Sequence, residues 1–204
     1  MITIVNYKMG NIRSIVNALE YLGIPSYVTS SPKEILQSEK LILPGVGSYF
    51  AAMQNLQKMN LIESLNEVAL IKKRPVLGIC LGMQLLAESG IEDGEVKGLG
   101  WIPGHIKRFK FENPSHRIPH TGFNSVQFGS KNSQLYTSLE NNSDFYFVHS
   151  YHMECDSEYV SGFTEYHGRF VASVEKNNIY GTQFHPEKSQ SNGLMMLRNF
   201  SRLI

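Results

Sequence analysis

The chain has 204 residues, 42% of them hydrophobic and 18% charged, with 19 Lys and Arg against 18 Asp and Glu and a formal net charge of +1. That length suits one domain over residues 1–204 with a sizeable core, and the balanced charge argues against a nucleic-acid partner or an acidic tail. The two cysteines, Cys80 and Cys155, are too few for a disulfide framework and suit a reducing compartment. Residues 1–7 lack a basic segment followed by a signal core, and no apolar run approaches the ~20 residues that span a bilayer, so a cytoplasmic protein with no membrane contact is expected.

Taken in order, the first half alternates short β-rich runs with amphipathic ones. Residues 2–5 read as a strand, and residues 13–22 place Ile15, Val16, Leu19 and Leu22 at helical spacing before Gly23-Ile24-Pro25 stops them. Strand 26–29, short helix 33–36, buried strand 41–43 and helices over 50–59 and 61–71 follow. Residues 76–79 make the next strand, with a helix after Leu81. Such alternation predicts an α/β fold with a mostly parallel sheet and helices on both faces. The second half is richer in strands, expected at 125–128, 145–148, 160–163, 170–174 and 179–183, with a hairpin turn at Asn177-Asn178 and a closing helix over 194–200. Residues 88–100 and 111–120 are expected to be ordered loops.

The most informative stretch is Gly78-Ile79-Cys80-Leu81-Gly82-Met83-Gln84. An apolar strand ends in a glycine, a cysteine stands at the apex, and a second glycine follows before helix formers. This is the pattern of a strand-to-helix nucleophile elbow with cysteine in the serine position. The sharp turn needs small neighbours, and it opens onto helix N–H groups that favour a thiolate. Near the other end, Gln183-Phe184-His185-Pro186-Glu187-Lys188-Ser189 puts His185 and Glu187 two apart in an extended segment, hence on one side. A carboxylate fixes the tautomer of an imidazole that deprotonates a thiol, so Cys80, His185 and Glu187 form a candidate acyl-transfer triad. A buried cysteine and a plain strand end are the bland alternatives for each motif alone; together the motifs favour catalysis.

These two motifs resemble those of the class I, or triad-type, glutamine amidotransferases. Met9-Gly10-Asn11-Ile12-Arg13-Ser14, Pro44-Gly45-Val46-Gly47-Ser48, Pro119-His120-Thr121-Gly122-Phe123-Asn124 and Phe147-Val148-His149-Ser150-Tyr151 extend the resemblance, in order, along essentially the whole chain. Within the family they are most similar to the glutaminase subunits of imidazole glycerol phosphate synthase. The resemblance implies a flavodoxin-like sheet with added antiparallel strands. It also implies hydrolysis of L-glutamine without a cofactor or metal, and transfer of ammonia to a (βα)8-barrel synthase subunit in a heterodimer. That synthase forms imidazole glycerol phosphate and aminoimidazole carboxamide ribotide in histidine biosynthesis.

The Pro44–Ser48 loop lacks a phosphate-loop lysine and the three-glycine dinucleotide fingerprint, so it reads as a backbone loop able to aim an N–H. The Leu81 N–H is the natural first oxyanion donor, and the resemblance assigns the second to the region of Val46, where a peptide flip would complete the hole. Gln84, one helical turn after Cys80, is a substrate ligand or an ordinary helix residue by spacing alone. The resemblance assigns glutamine binding to Gln84, Gly47, Ser150 and Tyr151, and partner contact to Asn11, Pro119, His120, Phe123, Tyr146, His149 and Lys188, with His120 and His149 as polar interface or pocket residues. His149 and His152, three apart in an extended run, point to opposite faces, and no metal site is expected. Two positions depart from the family pattern: Lys8 stands where glycine is common, and Phe123 where tryptophan is common. Both lie near the expected docking face, which leaves open a paralogue that amidates a bacterial surface sugar. A non-catalytic scaffold and a free-standing cysteine hydrolase are the other readings.

Overall fold

A computed structural model describes residues 1–113, 115–129 and 133–204; Pro114, inside the loop expected over 111–120, lies outside them. The first half folds as β1 (Ile2–Val5), α1 (Ile12–Tyr21), β2 (Ser26–Thr29), α2 (Pro32–Leu36), β3 (Lys40–Leu43), α3 (Tyr49–Lys58), α4 (Ile62–Asn66), β4 (Val76–Ile79) and α5 (Leu81–Gln84). The second half adds β5 (Ser89–Gly90), β6 (Val96–Lys97), β7 (His105–Arg108), β8 (His120–Phe128), β9 (Ser143–His149), β10 (Tyr151–Glu154), β11 (Val160–Glu165), β12 (Arg169–Lys176), β13 (Ile179–Thr182) and α6 (Gln190–Arg202). The main sheet has the order β2-β1-β3-β4-β13-β12-β11-β8-β9. Its β2-to-β13 half is parallel and its β12-to-β9 half antiparallel. A smaller sheet runs β10-β7-β5-β6.

Strand alternation explains the layers. On β3, Leu41 and Leu43 enter one apolar cluster with Leu56, Leu65 and Val76, while Ile42 enters the other with Ile15, Leu19, Leu77 and Phe200. α3 and α4 therefore cover one face, and α1 and α6 the other. Burying each such side chain contributes about 1.5–3 kcal/mol before chain entropy is set against it. No helix among the described residues is long and apolar enough to cross a membrane.

Three expectations need correcting. The helix expected over 61–71 is α4 followed by a π-helical stretch, Glu67–Ile71. Asn178 Nδ2 donates to Ala69 O and to Arg74 O at 2.8 Å each, so a side chain from another segment takes carbonyls at the helix end. Residues 88–100 hold β5 and β6, two-residue strands too short to show a period. β8 begins at His120 rather than 125, because it pairs with β9 from His120↔His149 onward through residues whose outward side is polar or exposed.

The sheet sets up the site at the carboxyl ends of β3, β4 and β13. Lys8, just after β1, holds φ +66°, the left-handed region that costs an L-residue about 1–2 kcal/mol and glycine nothing. The Asn6 side-chain oxygen accepts from its N–H at 3.1 Å. The glycine that the resemblance leads one to expect at this position would thus have a backbone reason.

Candidate active site

β4 runs between β3 and β13, and its last residue hands the chain to Cys80. Cys80 adopts φ +54° and ψ −110°, the strained geometry of an elbow. Its N–H donates to Thr182 O at 2.7 Å, and its carbonyl accepts from Gln84 N at 3.1 Å, so the turn is tied to β13 and to α5 at once. Both bracketing glycines are sterically required. A Cβ on Gly78 would lie 2.6 Å from Gly82 O, and one on Gly82 only 1.8 Å from Leu43 O. α5 has only four residues, so its dipole is small. The main positive neighbour of the sulfur is a side chain.

That side chain is His185. It leaves β13 through buried Gln183 and Phe184, its N–H donates to Tyr146 O at 2.9 Å, and Ser189 Oγ donates to its carbonyl at 2.6 Å. His185 Nδ1 is 2.8 Å from Glu187 Oε1, with both side chains 2% exposed. The carboxylate only accepts, so Nδ1 always carries a proton, and Nε2, the nitrogen that can give and take one, faces the cavity. Glu187 reaches this place from a turn of 3₁₀ helix, Pro186–Lys188, rather than from the extended backbone expected. Nε2 has no hydrogen-bond partner among the described residues, and it shares the cavity wall with Cys80. Burial opposes the imidazolium, but the Cys80 sulfur and Glu187 outweigh it and push His185 up to about 10.

The cavity measures about 270 Å³ and is lined by Val46, Gly47, Cys80, Leu81, Gln84, Glu92, Val148, His149, Ser150, Tyr151 and His185. All six expected oxyanion and substrate positions, Val46, Leu81, Gly47, Gln84, Ser150 and Tyr151, thus come together. Gln84 Nε2 donates to Tyr151 O and to Gln183 Oε1, each at 3.0 Å, so what it can still offer a ligand is its acceptor oxygen. Gly47 holds φ +102°, and Ser48 Oγ caps α3 by accepting from Ala51 N.

Two residues escape sequence reasoning. Glu92 lines the cavity and accepts from the Tyr49 N–H at 3.0 Å; burial first, then Asp93, raises its carboxyl. Its only sequence signal is a pair of carboxylates, Glu92-Asp93, between Gly90 and Gly94, inside a stretch without periodicity. Gln183, fully buried, places Nε2 3.8 Å from Cys80 Sγ and bridges it to Gln84.

The expected partner residues separate into two groups. Asn11, Pro119, Phe123, Tyr146 and Lys188 reach the surface. Phe123 pairs with Tyr146 across β8 and β9, their rings 5.5 Å apart, and Lys188 Nζ lies 5.7 Å from the Tyr146 ring. His120 and His149 are buried, so they stand behind that face instead of on it, and His149 lines the cavity. Their rings pack on Phe147, Phe109 and Phe170, which pulls them inside. His149 Nδ1 donates to Tyr151 O at 2.8 Å, so its Nε2 accepts from His120 Nδ1 at 3.1 Å. Burial lowers His120 to about 4 and His149 to about 3. An unfolded imidazole protonates near 6.5. Between that pH and about 4 the unfolded chain binds more protons than the folded one, so stability falls as pH falls. The thermal midpoint should drop as pH goes from about 7 to about 4.5, followed by circular dichroism; a level midpoint would contradict neutral burial of the pair.

Cys155 offers an internal control. Burial and then Asp156 push its thiol up to about 11, while Cys80 faces His185. Limiting iodoacetamide near neutral pH should label Cys80 first, as read by peptide mapping; preferential labelling of Cys155 would remove the basis for Cys80 as nucleophile.

Comparison with known proteins gives the chain its family. The family model for glutamine amidotransferase class-I matches residues 3–203. A Campylobacter jejuni (strain RM1221) protein named imidazole glycerol phosphate synthase subunit HisH 1 is 47% identical over 203 residues, covering all of both chains. A Methanococcus maripaludis protein named subunit HisH 2 is 47% identical over 201 residues, 98% of each. Among solved structures, a Thermoplasma acidophilum protein described as a putative GMP synthase component superposes with a TM-score of 0.73 at 18% identity, covering 98% of this chain and 91% of that one. PurLQS from Thermotoga maritima gives 0.72 at 17%, covering 98% and 96%. With a family match spanning nearly every residue and relatives alike from end to end, the chain belongs to the class I glutamine amidotransferases.

Proposed function

We propose that the chain is the glutaminase subunit of an imidazole glycerol phosphate synthase, with Cys80, His185 and Glu187 as its triad. The observation that carries the chemistry is the buried His185–Glu187 pair, with Nε2 left facing the cavity it shares with Cys80. The full-length likeness to proteins of that name carries the assignment to this synthase.

In the proposed mechanism the Cys80 thiolate attacks the γ-carboxamide carbon of L-glutamine. The carbonyl electrons move to oxygen, where the Leu81 N–H and a donor from the Val46 region receive the charge. The C–N bond breaks as the His185 imidazolium gives its Nε2 proton to the leaving nitrogen, releasing ammonia and a γ-glutamyl thioester. Neutral His185 then takes a proton from water, whose oxygen attacks the thioester. Glutamate leaves and the Cys80 thiolate and imidazolium return. Glu187 holds His185 in the required tautomer throughout. Glu92 is the carboxylate suited to the substrate α-ammonium. Glu92→Gln should raise KM for glutamine at least about tenfold with little change in kcat, in steady-state assays of glutamate; an unchanged KM would exclude that role.

Ammonia passes to a (βα)8-barrel synthase docked over Asn11, Pro119, Phe123, Tyr146 and Lys188. The loop at Val46 reaches its oxyanion-competent form only in that complex, and a missing donor costs about 10²–10³ in rate. Glutamate production should therefore be slow for the chain alone and rise with the histidine-pathway barrel plus its ribotide acceptor. Equal rates in all conditions would favour a free-standing hydrolase. Phe123 at the docking face supports a second reading, a paralogue serving a sugar-amidating enzyme; activation by that enzyme and not by the histidine-pathway barrel would establish it.

A further inference from the structure

Tyr7 lies just beyond β1, wholly buried, and its hydroxyl donates to Pro44 O at 2.6 Å across 37 positions of sequence. We infer that Tyr7 is a positioning residue for the oxyanion loop: through Pro44 it fixes where that loop can begin to move, and so where the Val46 N–H can point. The inference rests on the proposed glutaminase reading and deepens it.

The loop has few degrees of freedom. Pro44 has its φ set by its ring, and Tyr7 fixes its carbonyl, so the Pro44–Gly45 peptide is held at both ends. Gly45 is equally confined. A Cβ there would lie 2.7 Å from the Tyr7 hydroxyl, 2.7 Å from Leu81 Cβ and 2.8 Å from Gly82 N, so this backbone packs directly on the residues that follow the nucleophile. At the far end, Ser48 is tied down as the cap of α3. Between these anchors the peptides free to rotate are those flanking Val46, up to Gly47 at φ +102°. The clamp is itself referenced to the same helix, because Asn55 Nδ2, on α3, donates to Tyr7 O at 3.2 Å.

The hydroxyl is suited to this permanent bond. Burial, and then the charge of Cys80, push its ionisation far above neutrality, so it always carries the donating proton. Without it, Pro44 O would be a buried acceptor with no partner, and the loop would relax to solvate it. The Val46 N–H would then lose its aim at the oxyanion, an interaction made only after the thiolate has attacked. The loss should appear in the transition state rather than in glutamine binding.

The test is Tyr7→Phe in the full chain with its synthase partner. It compares kcat and KM for glutamine with the inhibition constant of glutamate γ-semialdehyde, whose thiohemiacetal with Cys80 carries the same oxygen. The expected result is a fall in kcat of about 10–100-fold, with aldehyde affinity falling in the same proportion, KM within about threefold and Cys80 alkylation within about twofold. Fluorotyrosines at position 7, which keep the hydroxyl, should bring kcat and aldehyde affinity back to within about threefold of wild type, and they carry the test if the phenylalanine variant fails to fold: within that range aldehyde affinity follows the donor strength of the ring. Wild-type kcat and aldehyde affinity in Tyr7→Phe would overturn the proposal, as would equal losses in KM and alkylation, which signify general disruption. A wild-type complex with no glutaminase activity would instead overturn the reading of the site itself.

Discussion

Replacing Cys80 with alanine should abolish glutamine hydrolysis, by about 10⁴-fold or more, while the complex with its synthase partner still uses added ammonium salts. The nucleophile is the atom to which the glutamyl group becomes bonded, so no neighbour can substitute for it: Gln183, whose Nε2 lies 3.8 Å from Cys80 Sγ, and Gln84, hydrogen-bonded to Gln183, are amides without nucleophilic character, and His185 is tied to Glu187 as the proton carrier. The fold should survive. Alanine keeps the Cβ at φ +54°, and the elbow is held by backbone bonds from Cys80 to Thr182 and Gln84 and by Gly78 and Gly82. Measuring glutamine-dependent and ammonium-dependent turnover on one preparation separates lost chemistry from lost structure. Glutamine-dependent turnover near wild type would take Cys80 out of the mechanism.

Glu187→Gln should lower kcat by about 10³–10⁴-fold and leave KM for glutamine nearly unchanged. A carboxamide is nearly isosteric but carries no charge. It can also turn its NH₂ toward Nδ1, which stabilises the tautomer with the proton on Nε2, where it blocks the base. Because Glu187 is one of the groups holding His185 near 10, its loss also lowers the pKa of the imidazolium. The alkaline limb of the pH–rate profile should accordingly move to lower pH. A pure KM effect would make Glu187 a substrate ligand instead.

The parts legible in the sequence are those where chemistry or periodicity forces a residue type. Cys80 between Gly78 and Gly82 is readable because no side chain fits at either glycine. The parallel half of the sheet is readable because Leu41, Ile42 and Leu43 alternate between two cores behind a periodic α1. The His185–Glu187 pair is legible for a partly wrong reason: strand alternation names the correct neighbours, but a 3₁₀ turn brings them together. Glu92 and Tyr7 stay hidden because their roles depend on long-range contacts, to Tyr49 and Pro44, that no local pattern encodes. Resemblance alone leaves His120 and His149 at an interface or in a pocket; their mutual bond and aromatic packing, which hold them inside, join segments that no local pattern pairs.

The most direct measurement is a rapid acid quench of the synthase complex turning over glutamine labelled in its carbon chain, followed by peptide mapping. A thioester mechanism predicts a transient label on the Cys80 peptide that hydroxylamine releases as glutamyl hydroxamate, and that disappears in Cys80→Ala. Glutamate formation with no protein-bound label at any time, or with the label on another residue, would contradict a thioester at Cys80.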